Sequence, residues 1–107
     1  MRQNLHDGDW VPALKALSVR WHLRQGPQGE PLALSCLLKF ASFSQAFAFM
    51  TQVAMLAERL DHHPDWSNSY ATVKIELTTH DAGGLTPKDV ELAQAIDEVI
   101  AQQGLSA

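Results

Sequence analysis

The sequence predicts an α+β domain, an antiparallel four-stranded sheet with helices packed on one face, in the order α-β-β-α-β-β-α. Three observations carry this expectation. Apolar and polar residues alternate with period two around residues 19–24, 32–40 and 72–79. Between Phe43 and Leu60, and again after Thr86, the apolar spacing changes to that of a helix. Gly26–Pro31 and Gly83-Gly84 punctuate these stretches as turns.

The elements follow in order. Residues 1–9 are polar and expected to be loose. Trp10 to Leu17 predicts a short helix, with Pro12 in its first turn where a missing N–H does little harm. Val19, Trp21 and Leu23 alternate with Arg20, His22 and Arg24, the pattern of a half-buried strand. After the turn cluster, Leu32, Leu34, Cys36, Leu38 and Phe40 alternate again, which predicts a hairpin with a fairly long loop. Ser42 to Gln45 reads as a capping box opening a long helix. Its expected inner stripe is Phe43, Ala46, Phe47, Met50, Val53, Ala54, Ala57 and Leu60, leaving Phe49, Met55 and Leu56 as apolar surface outside it. That surplus surface fits either a helix sunk in its own core or a face that meets another subunit. Pro64 closes the helix, because the residue before a proline is pushed out of helical geometry.

Trp66 to Tyr70 predicts a short strand that pairs with a second one through Val73, Ile75 and Leu77. Thr86-Pro87-Lys88-Asp89 is a strong helix start, with Val90, Ala93, Ile96, Asp97 and Ile100 on the inner face and Gly104 as the stop.

With 107 residues, 46% of them apolar, a single packed domain over residues 1–107 is expected, with a core modest enough that oligomerisation would help it. The formal charge is −4 and the eight basic residues are scattered, so direct nucleic-acid binding is not expected. Cys36 stands alone in an apolar run and reads as a small core residue; neither an internal disulfide nor a cysteine zinc site can be built from it. The N-terminal residues lack the apolar stretch of a signal peptide, and no run approaches the roughly 20 apolar residues of a membrane span. A cytoplasmic location without membrane attachment is therefore expected.

Chemistry concentrates in Asp61-His62-His63-Pro64 and Thr79-His80-Asp81, which bring three of the five histidines into two short loops. Histidine is the one side chain whose ordinary pKa lets it exchange protons near neutrality, so three of them around one cleft point to acid–base work. Glu58, Asp61 and Asp89 are the acids near enough to fix imidazole tautomers. Two other readings stand beside this one. The His-His pair could be a solvated helix end favoured by the helix dipole, or the three histidines could hold a metal, although they lack the i, i+4 spacing of helical zinc motifs. Gly83-Gly84 matches no nucleotide-binding fingerprint and reads as a tight connection needing φ > 0. Trp66 and Phe43 could stack on a flat heterocycle or belong to core and rim.

Glu58-x-x-x-His62-His63-Pro64, with Tyr70, His80 and Asp89 at their spacings, closely resembles the signature of the pterin-4a-carbinolamine dehydratase family. The similarity runs from about Phe40 to Asp97 and includes Phe47-Ala48-Phe49-Met50-Thr51 and Thr78-Thr79-His80-Asp81-Ala82-Gly83-Gly84-Leu85-Thr86. The resemblance implies a four-stranded antiparallel sheet backed by helices and assembled as a homo-oligomer, a dimer or tetramer. It implies dehydration of 4a-hydroxytetrahydrobiopterin to quinonoid dihydropterin, in tetrahydrobiopterin recycling beside aromatic amino acid hydroxylases, with no metal and no organic cofactor. By the same resemblance His62 and His80 would be acid and base, and His63 would chiefly bind the pterin. Asp61, Thr78, Thr79 and Asp81 would line the ring, with Glu58, Trp66 and Asp89 in support. Two departures stand out: the first helix is short and contains Pro12, and the Gly26–Pro31 loop is longer than the family's usual. Relatives also act as dimerisation cofactors of an animal homeodomain transcription factor, and others resemble assembly factors or molybdopterin-related proteins. A protein-binding role through the oligomer interface is therefore the alternative function.

Overall fold

The structure is a computed structural model that describes residues 17–103. The short helix expected over Trp10–Leu17 lies outside these residues except for Leu17, as do the polar tail and the Gly104 stop. The described elements run β1 (His22–Gln25), β2 (Pro31–Lys39), α1 (Phe43–Leu60), β3 (Asp65–Ser69), β4 (Thr72–Leu77), a 3-10 turn (His80–Ala82) and α2 (Pro87–Gln102). All strand pairs are antiparallel, in the order β1-β2-β4-β3. The two hairpins expected from the alternation are therefore joined through their second strands.

Register puts the apolar alternants on one face. Leu34 lies opposite Leu77, Cys36 opposite Ile75 and Leu38 opposite Val73, and all six are buried. Trp66 of β3 sits on the other side of Ile75 and packs half-buried against the same core. Ala46, Phe49, Val53 and Ala57 of α1, with Val90, Leu92, Ala93, Ile96 and Ile100 of α2, complete the core over this face. Each fully buried Leu, Ile or Phe contributes about 1.5–3 kcal/mol relative to exposure, so this single layer interface dominates stability.

Two expectations are corrected. The inner stripe of α1 is rotated from the one expected. Phe49 is fully buried, 5.1 Å from Phe40 between ring centroids, and Leu56 packs part-buried against the core. Phe43, Phe47 and Ala54 are exposed instead, with the Phe43 and Phe47 rings 5.8 Å apart, while Met55 is exposed as expected. The run Phe43–Met50 is apolar at two helical phases, and packing against Phe40 selects the phase through Phe49.

The second correction concerns β1. Val19 is 98% exposed and precedes the strand. Asp97 of α2 draws this segment into a turn by accepting hydrogen bonds from the Ser18 amide and hydroxyl (both 3.0 Å), Arg20 Nη1 (2.7 Å) and Trp21 Nε1 (2.9 Å). Four donors on one carboxylate outweigh two more residues of an edge ladder, worth about 1 kcal/mol per net hydrogen bond. The α1 cap also differs in detail. Ser42 Oγ accepts from the Gln45 amide at 3.1 Å, but the Gln45 side chain reaches the Ala41 amide rather than that of Ser42.

Candidate active site

The C-terminus of α1 sets the two adjacent histidines on different courses. Asp61 adopts a left-handed backbone (φ 52°, ψ 44°), a conformation that Asp tolerates better than most non-glycine residues. The chain then doubles back, so that the His62 amide donates to the Ala57 carbonyl at 3.0 Å and satisfies an orphan helix acceptor. His62 is directed inward and is buried, whereas the His63 side chain stays 58% exposed. Turn geometry lets neighbouring residues serve one site from two depths, and it comes from Asp61, three residues before Pro64.

The other wall is the stretch after β4. Thr79 and Gly84 pair as an isolated bridge, with the Thr79 amide donating to the Gly84 carbonyl at 3.0 Å, so residues 80–83 project as a tight loop. The glycine pair does two jobs. Gly83 has φ 71°, and a Cβ on Gly84 would stand 2.7 Å from the Pro31 carbonyl oxygen. The connection expected from the sequence is what these glycines build.

The loops enclose an open cleft of about 290 Å³ lined by Asp61, His62, His63, Thr78, His80 and Asp81. Every histidine in it has a carboxylate partner. His62 Nε2 lies 2.5 Å from Asp89 Oδ1, His63 Nε2 lies 2.6 Å from Glu58 Oε2, and His80 Nε2 lies 3.2 Å from Asp65 Oδ2. The first pair is buried and the other two are exposed. An ionised carboxylate at Nε2 favours the neutral tautomer that carries its proton there and keeps Nδ1 as acceptor, most strongly in the buried His62–Asp89 pair, where solvent does not compete. Buried ion pairs respond strongly to loss of one partner, and exposed ones contribute little to stability.

Asp89 occupies the third position of α2 and is fully buried. Besides His62, its carboxylate accepts from the Thr86 amide at 2.9 Å and from the Thr79 hydroxyl at 2.7 Å. Thr79 is itself buried and does not line the cleft, so its side chain acts on Asp89. The Thr78 hydroxyl donates to the Leu32 carbonyl at 2.7 Å, which fixes this lining residue to β2. Trp66 lies outside the cleft lining, against the core, and Phe43 stands on the exposed face of α1. His22 lies on the exposed side of β1.

Asp65 and Thr86 were not among the candidates from sequence. Thr86 signalled only a helix cap, and Asp65 becomes a partner of His80 only through the placement of β3 beside β4. Cys36 lies under the sheet and takes no part in the cleft; burial pushes its thiol up to about 12, with Arg20 opposing the shift and Asp97 adding to it.

The chain matches the family model described as pterin 4 alpha carbinolamine dehydratase over residues 3–99. A Rhodopseudomonas palustris (strain BisB18) protein named "Putative pterin-4-alpha-carbinolamine dehydratase" is 43% identical over 102 residues, covering 95% of this chain and 96% of that protein. A protein of the same name from Prochlorococcus marinus (strain NATL2A) is 60% identical over 62 residues, 58% of this chain and 65% of that protein. Among solved structures, a transcriptional coactivator/pterin dehydratase from Brucella melitensis superimposes with a TM-score of 0.79 at 37% identity, covering 91% of this chain and 98% of that one. A pterin dehydratase-like protein identified as a RuBisCO assembly factor in the alpha-carboxysome gives 0.61 at 25% identity, covering 74% and 87%. The chain belongs to the pterin 4 alpha carbinolamine dehydratase family.

Proposed function

We propose that the cleft binds a 4a-hydroxytetrahydropterin and removes water from it by histidine acid–base catalysis. The observation that carries this reading is the convergence of three imidazole–carboxylate pairs on one cleft. In the reaction N5 loses its proton, the C4a–N5 double bond forms, and the C4a–O bond breaks as the leaving hydroxyl gains a proton and departs as water. Both transfers need groups that hold and release protons near neutral pH beside two adjacent ring atoms, N5 and C4a, work typically worth about 10²–10⁴-fold. His62 and His80 exchange these protons, His63 chiefly binds the ring, and Asp61, Thr78 and Asp81 complete its surroundings.

The charge of the rim supports a neutral heterocycle over a phosphate ester. Glu58, Asp61, Asp65 and Asp81 stand around the opening, so a phosphate would meet like charge, whereas a pterin offers ring N–H and amino donors to carboxylates and carbonyls.

The test is dehydration of chemically generated 4a-hydroxytetrahydropterin by purified protein, with and without EDTA. Acceleration that EDTA leaves unchanged is the expected result. A rate abolished by EDTA and restored by a metal would overturn the metal-free mechanism, and no acceleration by folded protein would overturn the enzymatic reading.

A second reading is favoured by the exposed apolar face of α1 at Phe43, Phe47 and Met55. A face of this kind suits a homo-oligomer, dimer or tetramer, or a protein partner that shares the surface. The named roles of the Brucella and carboxysome proteins show that this fold occurs beside coactivator and assembly functions. Helix-face variants that lose assembly but keep dehydration would separate the two.

A further inference from the structure

The buried hydrogen-bond chain behind His62 has a fixed direction. A hydroxyl has one proton to give. Thr79 Oγ1 gives its proton to Asp89 Oδ2 at 2.7 Å, so its 2.8 Å contact with Thr86 Oγ1 must be donated by Thr86. The Thr86 amide also donates to Oδ2, at 2.9 Å, and the remaining oxygen, Oδ1, faces His62 Nε2. Thr79, Thr86 and Asp89 are each at most 1% exposed, so water does not substitute for a missing member. Every donor in the chain points toward the carboxylate, and the carboxylate is held from two sides before it meets the imidazole.

We propose that Thr79 is a positioning residue for His62. Its hydroxyl, oriented by Thr86, holds the Asp89 carboxylate so that His62 keeps its proton on Nε2 and presents Nδ1 to the cleft. His62 then exchanges protons with the ligand through Nδ1 alone. Without the Thr79 proton, the carboxylate can turn toward the Thr86 amide, and the His62 ring loses the partner that selects its tautomer. A small displacement of this kind is costly because proton transfer depends on alignment within a few tenths of an ångström; about 1 Å of misplacement can remove roughly 10²-fold. The chemical consequence rests on the dehydratase reading, but the tautomer of His62 does not.

The experiment compares wild type with Thr79→Val, which is nearly isosteric, and Thr79→Ser, which restores the hydroxyl. Imidazole tautomers are read by long-range ¹H–¹⁵N correlation on labelled protein, and kcat and KM by the dehydration assay. Wild type and Thr79→Ser are expected to hold His62 as the Nε2–H form with a downfield, slowly exchanging proton. Thr79→Val is expected to give mixed tautomers and a kcat about tenfold lower or more, with KM changed less than about twofold. Should Thr79→Val fail to fold, Thr79→Ala, which removes the same hydroxyl, supplies the same comparison. An unchanged His62 tautomer in the folded Val variant would overturn the proposal, as would equal loss of kcat in Thr79→Ser. If wild type itself dehydrates no pterin, the dehydratase reading fails while the tautomer comparison still decides the role of Thr79.

Discussion

Asp89 joins the two properties that matter most, stability and proton placement, and two substitutions pull them apart. Its carboxylate accepts from His62 Nε2, the Thr79 hydroxyl and the Thr86 amide, all within a fully buried pocket. Asp89→Ala removes all three acceptor contacts at once. Each buried donor left without a partner costs about 1–3 kcal/mol, so the loss is on the order of 2–6 kcal/mol for the two that remain once the freed hydroxyl has relaxed. A domain of this size has only about 5–15 kcal/mol in total, which places the variant near the edge of folding.

Asp89→Asn keeps most of that stability. Its oxygen can stay with Thr79 and Thr86, two donors that cannot become acceptors toward Asp89 without breaking the chain described above. The amide nitrogen must then face His62 Nε2, where two N–H groups cannot both donate. His62 resolves the conflict by moving its proton to Nδ1. The variant is therefore expected to lie within about 1–2 kcal/mol of wild type in urea unfolding followed by Trp21 and Trp66 fluorescence. Its dehydration kcat should nevertheless fall by 10²-fold or more; a carboxylate-to-amide change behind a catalytic histidine can cost about 10⁴-fold. Near-normal kcat in Asp89→Asn, or a wild-type urea midpoint in Asp89→Ala, would refute this account of the pair.

Further outcomes are expected at three places: the histidines, α1 and Cys36. His62→Ala and His80→Ala should each lower kcat and, if the two act as a unit, cost less together than the product of the single losses, while His63→Ala should chiefly raise KM; the reverse pattern would show the roles to be misassigned. Among the three, only His62→Ala should also lower the urea midpoint, since it alone strands a buried carboxylate. In sedimentation at micromolar concentration, wild type should be a homo-oligomer, Phe47→Glu a folded smaller species and Phe49→Glu unfolded; a monomeric wild type would end the assembly reading, and a folded Phe49→Glu would contradict the observed phase of α1. Cys36, with its thiol pushed up to about 12 by burial, should resist thiol reagents at pH 8 until the chain unfolds. Because the folded chain holds this proton more tightly than the unfolded one, its contribution is intact below about pH 9 and is lost as the pH rises toward 12. Cys36→Ala should therefore lose less stability than wild type across that interval.

The parts of the molecule legible in the sequence are those whose causes are local. Alternation placed β2 and β4, the Thr86-Pro87 cap opened α2, and the glycine pair marked a tight connection. Each depends on neighbours a few residues away. What was misread depends on distant ones. Val19 leaves the strand because Asp97, nearly eighty residues later, captures Ser18, Arg20 and Trp21. Phe49 rather than Phe47 turns inward because Phe40 waits at the end of β2, a fact that helical periodicity cannot contain when the run is apolar at both phases.

The histidine cleft lies between these cases. Its three imidazoles and two of their acids, Glu58 and Asp89, were legible in the sequence, but which acid meets which ring was not, and Asp65 was missed: the partners lie 27, 5 and 15 residues away for His62, His63 and His80. Only the five-residue pair lies within reach of helical spacing, and it is solvent-exposed. The pair that the fold alone can build, His62 with Asp89, is also the buried one. Solvent can reorient the exposed imidazoles, but His62 is oriented by a carboxylate that two threonines of the next loop and helix cap hold in place. A chain that kept the His-His-Pro and Thr-His-Asp loops but replaced Asp89 would retain all three histidines and lose the oriented imidazole. On this argument, Asp89 tests more directly than the histidine motifs whether such a cleft is built for proton transfer.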